Sequence, residues 1–384
     1  MLLNDKILIR KNNIAIRVDS SFVIGSGHVM RCITLAKALL KNVDADIIFF
    51  CRAYEGNIID FIRSNGFCVV VMSAKEVPLQ NDYQTWLGAS QSVDIKHFII
   101  AANQQGFDKI DLILTDHYGI SEEWEEKARS FSRCVAVIDD LANRKHSCDF
   151  IIDQNYFKDY GNRYDSLTNI ECKKLLGPDY TLLREEFADF KDKLIPFDER
   201  FSKKIITIFF GGTDPDNHSE KALKGLLAKL DDSYNINVIL GKSNPNIDRL
   251  HKYEKQFVNV TIYIQVSNMS EHIGQSLLFV GAIGATTWER CICGTPGLVS
   301  SIAENQIQAA VDLHEIIAHH YLGKADTLSD EDYGNAALML LSNKNLLKQQ
   351  NITSKGLVSE SGSSVVSKII CDFIIGMKNV KGKV

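Results

Sequence analysis

The sequence has no excess of basic charge, no long hydrophobic run and no paired-cysteine motif, and each absence narrows what it encodes. Lys and Arg total 43 against 48 Asp and Glu, a formal net charge of −5. The basic stripe typical of nucleic-acid binders is therefore missing, and no nucleic-acid partner is expected. The longest apolar runs, such as CVVVM (68–72) and SLLFVG (276–281), are far shorter than a membrane span, so no membrane partner is expected either. The N-terminal stretch MLLNDKILIRKNN is charged and lacks the apolar core and small-residue cleavage site of a signal peptide. The nine cysteines (Cys32, Cys51, Cys68, Cys134, Cys148, Cys172, Cys291, Cys293 and Cys371) are odd in number and dispersed. That pattern suits reduced thiols in the cytoplasm better than a disulfide framework. Cys291 and Cys293 form a C-x-C without the second pair a zinc site uses. No H-E-x-x-H, H-x-E…C-x-x-C, EF-hand or Walker pattern occurs, so no metal is expected.

What is present is a repeated alternation. A chain of 384 residues is long enough for two domains of ordinary size, and 45% hydrophobic with 24% charged residues is a globular composition. NIAIRVDS (13–20) reads as a buried strand. GHVMRCITLAKALLKN (27–42) follows as a helix, with Val29, Met30, Ile33, Leu35, Ala36, Leu39 and Leu40 near helical spacing. DIIFFCR, FCVVVM, DLILTDHYGI (111–120) and RCVAVIDDL (133–141) continue the strands, and SEEWEEKARSF reads as a helix between the last two. The polar segment 153–200 breaks the pattern and reads as a linker and interdomain region. A second series follows, with strands in KKIITIFFGGTD (203–214), INVILGKSN, VTIYIQ and SLLFVGAIGATTWERCICG (276–294), the last running through a turn into a helix, a plan that TPGLVSSIAENQIQAAVDLHEIIAHH repeats. Strand–helix alternation of this kind implies parallel sheets covered on both faces. The expected fold class is α/β, two Rossmann-like domains facing across a cleft. The division is 1–165 (first domain), 166–200 (linker), 201–360 (second domain) and 361–384 (a last helix and tail, directed back toward the first domain). Such a pair binds its ligand between the domains, at the carboxyl ends of the strands.

Five turns carry the candidate chemistry. Gly25 and Gly27 lie between a strand and a helix, the position where glycines let backbone N–H groups approach a phosphate. The dinucleotide fingerprint fails, because Met30 stands where a third small residue is needed. His28, in the first turn of the helix, is placed to project into the cleft, where the helix dipole disfavours an imidazolium and suits a general base. The competing reading is a structural histidine pinning the loop. Asp19 is a carboxylate beside the same turn, able to cap its amides or to partner His28. TDHYG (115–119) also follows a strand. Asp116 there could orient a histidine and Tyr118 could hydrogen-bond a sugar or a water, or the segment is a capped turn. In the second half, Gly211, Gly212 and Thr213, then Gly284, Thr286, Thr287 and Glu289, then Asn305 and Gln306 form three turns on one side of one sheet. Small hydroxylated residues at a helix start suit a diphosphate, and Glu289 is placed to accept two ribose hydroxyls. Ordinary helix capping is the alternative for each turn. His319 and His320 read as the surface end of an amphipathic helix, His146 as part of a polar loop, and Glu122–Glu126 as a solvated helix face.

RVDSSFVIGSGHVMRCITLAKAL, TDHYGI, FGGTD, TTWERCICGTPGL and AENQ, in this order from about residue 14 to about residue 310, resemble the nucleotide-sugar hydrolases of pseudaminic acid biosynthesis. The first block is long and distinctive, the others modest. TWLG near Trp86 resembles an insert of the longer members. Residues 1–13 depart from the family as an extra leader. Ile283 departs too, standing where a small residue is usual, so that it either crowds the diphosphate or packs beneath it. The resemblance implies the two-domain fold of GT-B glycosyltransferases, a small-molecule UDP-sugar partner, and hydrolysis of UDP-2,4-diacetamido-2,4,6-trideoxy-β-L-altropyranose. It also implies no metal and no cofactor, His28 as catalytic base, Tyr118 as a cleft tyrosine and Asn305 as a substrate-binding residue. None of these features bears on oligomeric state.

Overall fold

Apolar strands joined by amphipathic helices bury both faces of a sheet when the strands run parallel and the helices cross over. A computed structural model of the chain describes residues 11–73 and 82–381; the expected leader at 1–13 therefore lies mostly outside the described residues. β1 (Asn12–Val18), β2 (Ala45–Arg52), β3 (Cys68–Met72), β4 (Leu112–Asp116), β5 (Val135–Ile138), β6 (Phe150–Asp153) and β7 (Lys173–Leu176) form one sheet in the order 3-2-1-4-5-6-7. β8 (Ile205–Phe209), β9 (Asn235–Leu240), β10 (Val260–Ile264), β11 (Leu278–Ala282), β12 (Gly297–Ser301) and β13 (His320–Lys324) form a second, in the order 10-9-8-11-12-13. Every strand pairing is parallel. This is the two-domain α/β architecture read from the sequence.

In each sheet the direction of strand addition reverses once, between β1 and β4 and between β8 and β11. A crevice opens at the carboxyl ends of the strands where the order reverses. Val18 pairs with Asp116, so the turns after β1 and β4 leave the first sheet side by side.

The helix Gly27–Asn42 buries Val29, Cys32, Ile33, Leu35, Ala36 and Leu39 against the first sheet. The last helix, Gly362–Lys381, packs on it from outside through Val366, Ile370, Cys371 and Ile374. The chain end thereby returns to the first domain.

Segment 153–200 is not only a linker. β7 pairs with β6 from Phe150↔Lys173 to Asp153↔Leu176, so the first sheet continues past residue 165. A four-residue edge strand with two lysines carries too little apolar pattern to stand out from a loop. Farther along, Phe187 on the helix Glu185–Phe190 is buried in the second domain's apolar cluster with Ile273 and Trp288.

Glu125 and His319, expected at the surface, and His146, read as part of a polar loop, lie in the core. Glu125 is fully buried, with Oε1 2.7 Å from His146 Nδ1 and Oε2 accepting from the Ser147 amide at 2.6 Å. His146 is itself buried as that partner. His319 is buried because its helix ends earlier, at Glu315. Its Nε2 donates to the Ala310 carbonyl at 2.8 Å, and Nδ1 lies 3.5 Å from Arg290 Nη2.

Candidate active site

The turn after β1 is closed on itself. Ser21 Oγ accepts from the Val23 and Ile24 amides at 3.1 and 2.9 Å, and the Gly25 amide donates to the Ser21 carbonyl at 2.9 Å. Gly25 has φ +79°, a conformation that glycine adopts without a Cβ penalty. With these three amides in use, the turn is held in shape, and Gly25, Gly27 and His28 line the cleft.

His28 lies at the start of its helix with Nδ1 2.6 Å from Asp116 Oδ1. Arg31, one turn on, grips the same carboxylate with both edges of its fork, Nε to Oδ2 at 2.6 Å and Nη2 to Oδ1 at 2.8 Å. Burial alone would raise the Asp116 pKa, but Arg31 and then His28 reverse this and hold it well below the usual carboxylate range. An ionised Asp116 can only accept, so His28 Nδ1 carries the hydrogen. In the neutral ring Nε2 is then the acceptor. That is the tautomer a general base requires.

Arg31 also binds Asp140, with Nη1 2.9 and 2.7 Å from its two oxygens. Tyr118 donates its hydroxyl to Asp140 Oδ2 at 2.6 Å. Burial, then Asp140, pushes the Tyr118 pKa well above its ordinary value, so it stays a phenol. Its ring meets the His28 imidazole edge-on, with centroids 4.6 Å apart. Asn155 bridges Asp140 and Asp153, at 2.8 and 3.1 Å.

Asp19 is not the partner of His28. It is fully buried with Oδ1 2.7 Å from Arg17 Nη1, accepts from the Arg52 amide at 2.7 Å, and has Oδ2 3.3 Å from His117 Nε2. It ties β1 to β2 and to the turn after β4. The sequence placed two carboxylates near the histidine, and the geometry selects Asp116.

Across the cleft, the second domain offers backbone. Gly284 is exposed and Thr286 half-buried at the turn after β11. After β8, Gly211 and Thr213 are half-buried, and the Gly212 carbonyl accepts from the Gly241 amide at 2.9 Å. Asp214 caps the following helix through the His218 and Ser219 amides, both at 2.9 Å. The Thr287 hydroxyl accepts from the Gly284 amide at 3.2 Å and so shapes the turn, although the residue still lines the cleft. Glu289 Oε1 is bound by Arg184 Nε at 2.7 Å. Ile283 is buried in the apolar cluster with Trp288 and Ala309, so it packs beneath the turn. Gln306 Oε1 accepts from the Ile302 amide at 2.9 Å and holds the third turn. Asn305 reaches the first domain, its Nδ2 3.4 Å from the Tyr118 hydroxyl and its Oδ1 3.4 Å from that of Tyr83. The cleft encloses about 2340 Å³, with His28, Tyr118, Gly211, Gly284, Glu289 and Asn305 among its lining residues.

Among the described residues, Asp216, His218 and Asp326 bring ligand-type atoms within 4.8 Å of one another at the side of this cleft. Two of the three are exposed. No helix among the described residues is long and apolar enough to cross a membrane.

No family model matches the chain. Over 300 residues it is 29% identical to an uncharacterized protein of Methanocaldococcus jannaschii, covering 77% of this chain and 56% of that protein. The chain thus spans little more than half the length of that relative. Over 261 residues it is 28% identical to the UDP-2,4-diacetamido-2,4,6-trideoxy-β-L-altropyranose hydrolase of Campylobacter jejuni, covering 68% of this chain and 81% of that enzyme. Among solved structures it resembles MurG of Acinetobacter baumannii (TM-score 0.63, 13% identity, 94% of this chain and 99% of that one). It also resembles UGT71G1 of Medicago truncatula complexed with UDP-glucose (TM-score 0.66, 14% identity, 95% and 98%). The fold is GT-B. These likenesses establish the architecture and leave the reaction to the site.

Four residues of this site escaped the sequence reading: Arg31, Asp140, Asn155 and Arg184. Arg31 carried a usable signal, since it sits three residues after His28 and so shares its helix face. Asp140 carried one too, as a carboxylate at the carboxyl end of a strand, like Asp116. Asn155 and Arg184 lie in the polar segment and carried none.

Proposed function

We propose that this protein is a UDP-sugar hydrolase that releases UDP by water attack at the anomeric carbon, with inversion. We assign its substrate as UDP-2,4-diacetamido-2,4,6-trideoxy-β-L-altropyranose, and the 28% identity to the Campylobacter hydrolase supports that choice. The observation that carries the reading is His28, which lines the cleft and is backed by the buried Asp116 at 2.6 Å, facing the turns at Gly211 and Gly284.

The chemistry follows from the leaving group. A diphosphate departs as a stable anion, so the paired acid that a glycosidase uses on its leaving oxygen is not required. What is required is a base for water on the opposite face of the sugar and fixed dipoles for the departing charge. His28 Nε2 takes the proton, and Asp116 stabilises the imidazolium that results. The turns at Gly211–Thr213 and Gly284–Thr286 receive the diphosphate, and Glu289 the ribose. Tyr118 and Asn305 contact the sugar.

A glycosyltransferase is the second reading, favoured by the fold shared with UGT71G1. Incubation with the sugar nucleotide alone, without acceptor, distinguishes the two. The hydrolase releases UDP and free sugar, and nuclear magnetic resonance of the first-formed sugar finds the inverted anomer. A transferase leaves the substrate intact until an acceptor is added.

A further inference from the structure

The ring cluster beside His28 is denser than proton abstraction requires. The short turn Tyr83–Leu87 lays Trp86 against the base and Tyr83 behind it. The Trp86 ring is 6.3 Å from the His28 ring and stacks on Tyr118, with centroids 5.5 Å apart. Tyr83 packs on both Trp86 and Tyr118, at 4.9 and 5.0 Å. Ile24, Tyr54 and Leu141 complete the cluster. His28, Trp86 and Tyr118 are each left only 7–8% exposed.

This wall is fixed in place. Asp82 Oδ1 accepts from the Gln84 amide at 3.0 Å and starts the turn. Gly88 ends it at φ +63°, and a Cβ there would collide with the Tyr54 hydroxyl. The Tyr83 hydroxyl meets Asn305 of the opposite domain. The side of His28 that faces Trp86 and Tyr118 is packed with rings.

Building on the hydrolase reading, we infer that Tyr83 and Trp86 select the nucleophile, leaving beside His28 a space for water and none for an alcohol. In the normal reaction a water O–H bond breaks, its proton passes to His28 Nε2, and the oxygen bonds to the anomeric carbon. The carbon–oxygen bond to the diphosphate breaks, and its electron pair leaves on UDP. With room made, an alcohol takes the same route and yields a glycoside in place of the free sugar.

The test uses the full chain, the sugar nucleotide and glycerol as the competing alcohol, with glyceryl glycoside and free sugar separated by mass spectrometry. Trp86→Ala is expected to raise the glycoside-to-free-sugar ratio at least about tenfold over wild type, the scale on which pocket size discriminates. Tyr83→Ala, at a half-buried position less critical for folding, is expected to raise it too. Trp86→Phe should return it toward the wild-type value. If Trp86→Ala and Tyr83→Ala release UDP but give only free sugar, the wall does not select the nucleophile and the hydrolase reading stands. Glycoside formed by wild type at a comparable ratio overturns the inference as well. A wild type that releases no UDP overturns the hydrolase reading itself.

Discussion

His28 Nδ1 and Asp116 Oδ1 stand 2.6 Å apart across the point where the first sheet reverses its strand order. The two residues are 88 positions apart in the chain and meet because β1 and β4 are neighbours. The pairing fixes the tautomer of the base, so removing the charge from Asp116 should act on the chemical step. Asp116→Asn is expected to lower kcat about 10²–10⁴-fold with KM changed little, read from steady-state UDP release. An equal rise in KM with kcat intact would place Asp116 in substrate binding instead.

Arg31 holds two carboxylates in a buried site, and its loss leaves Asp116 and Asp140 without their main cation. Burial alone would lower the Arg31 pKa, yet these two acids hold it well above its ordinary value. Arg31→Ala should cost about 3–5 kcal/mol in chemical denaturation, the scale for breaking a buried pair from one side. Arg31→Lys keeps the charge but not the fork, so it should recover stability more fully than kcat.

Acid should unfold the protein in two stages. Burial, then Arg290, holds the His319 pKa well below its ordinary value, and burial lowers that of His117. A depressed folded pKa gives stability that is present above the unfolded value, about 6.5 for histidine, and lost as pH falls below it. Asp19 and Asp116 follow the same rule from an unfolded value near about 3.9. For both, burial raises the pKa and Arg17 or Arg31 more than reverses it. Melting temperature should fall between about pH 7 and 5, then again below about pH 4. His319→Gln retains a donor for the Ala310 carbonyl and should flatten the first stage. An unchanged slope would remove His319 from the account.

The alternation of strands and the turns that end them were legible in the sequence because helix and strand periods differ, and glycines mark the strand ends. His28, Tyr118 and Asn305 follow from that pattern and do converge on one cleft. What the sequence hid are contacts between distant segments. Glu125 looked like one of a run of solvated acids because His146, its partner, is 21 residues away on another turn. Asp19 and Asp116 both stand at the carboxyl ends of strands. Only the positions of Arg17 and Arg31 tell which one is free to serve the histidine. β7 was missed because an edge strand needs little apolar surface.

Glu289 tests the proposed nucleotide half of the cleft apart from the chemistry. One of its oxygens is engaged by Arg184, which leaves the carboxylate oriented. Glu289→Ala should weaken UDP binding about 10–100-fold by calorimetry, the scale of one or two hydrogen bonds to a charged group. His28→Ala should leave that affinity nearly unchanged. Equal UDP affinity in Glu289→Ala and wild type would move the ribose elsewhere.

The most direct measurement of the central claim is single-turnover UDP release from UDP-2,4-diacetamido-2,4,6-trideoxy-β-L-altropyranose by wild type and His28→Ala, with chelator and without acceptor. The account predicts rapid release by wild type and a loss of at least about 100-fold in the variant. Release that survives the substitution would contradict His28 as the base, and no release by wild type would contradict the hydrolase.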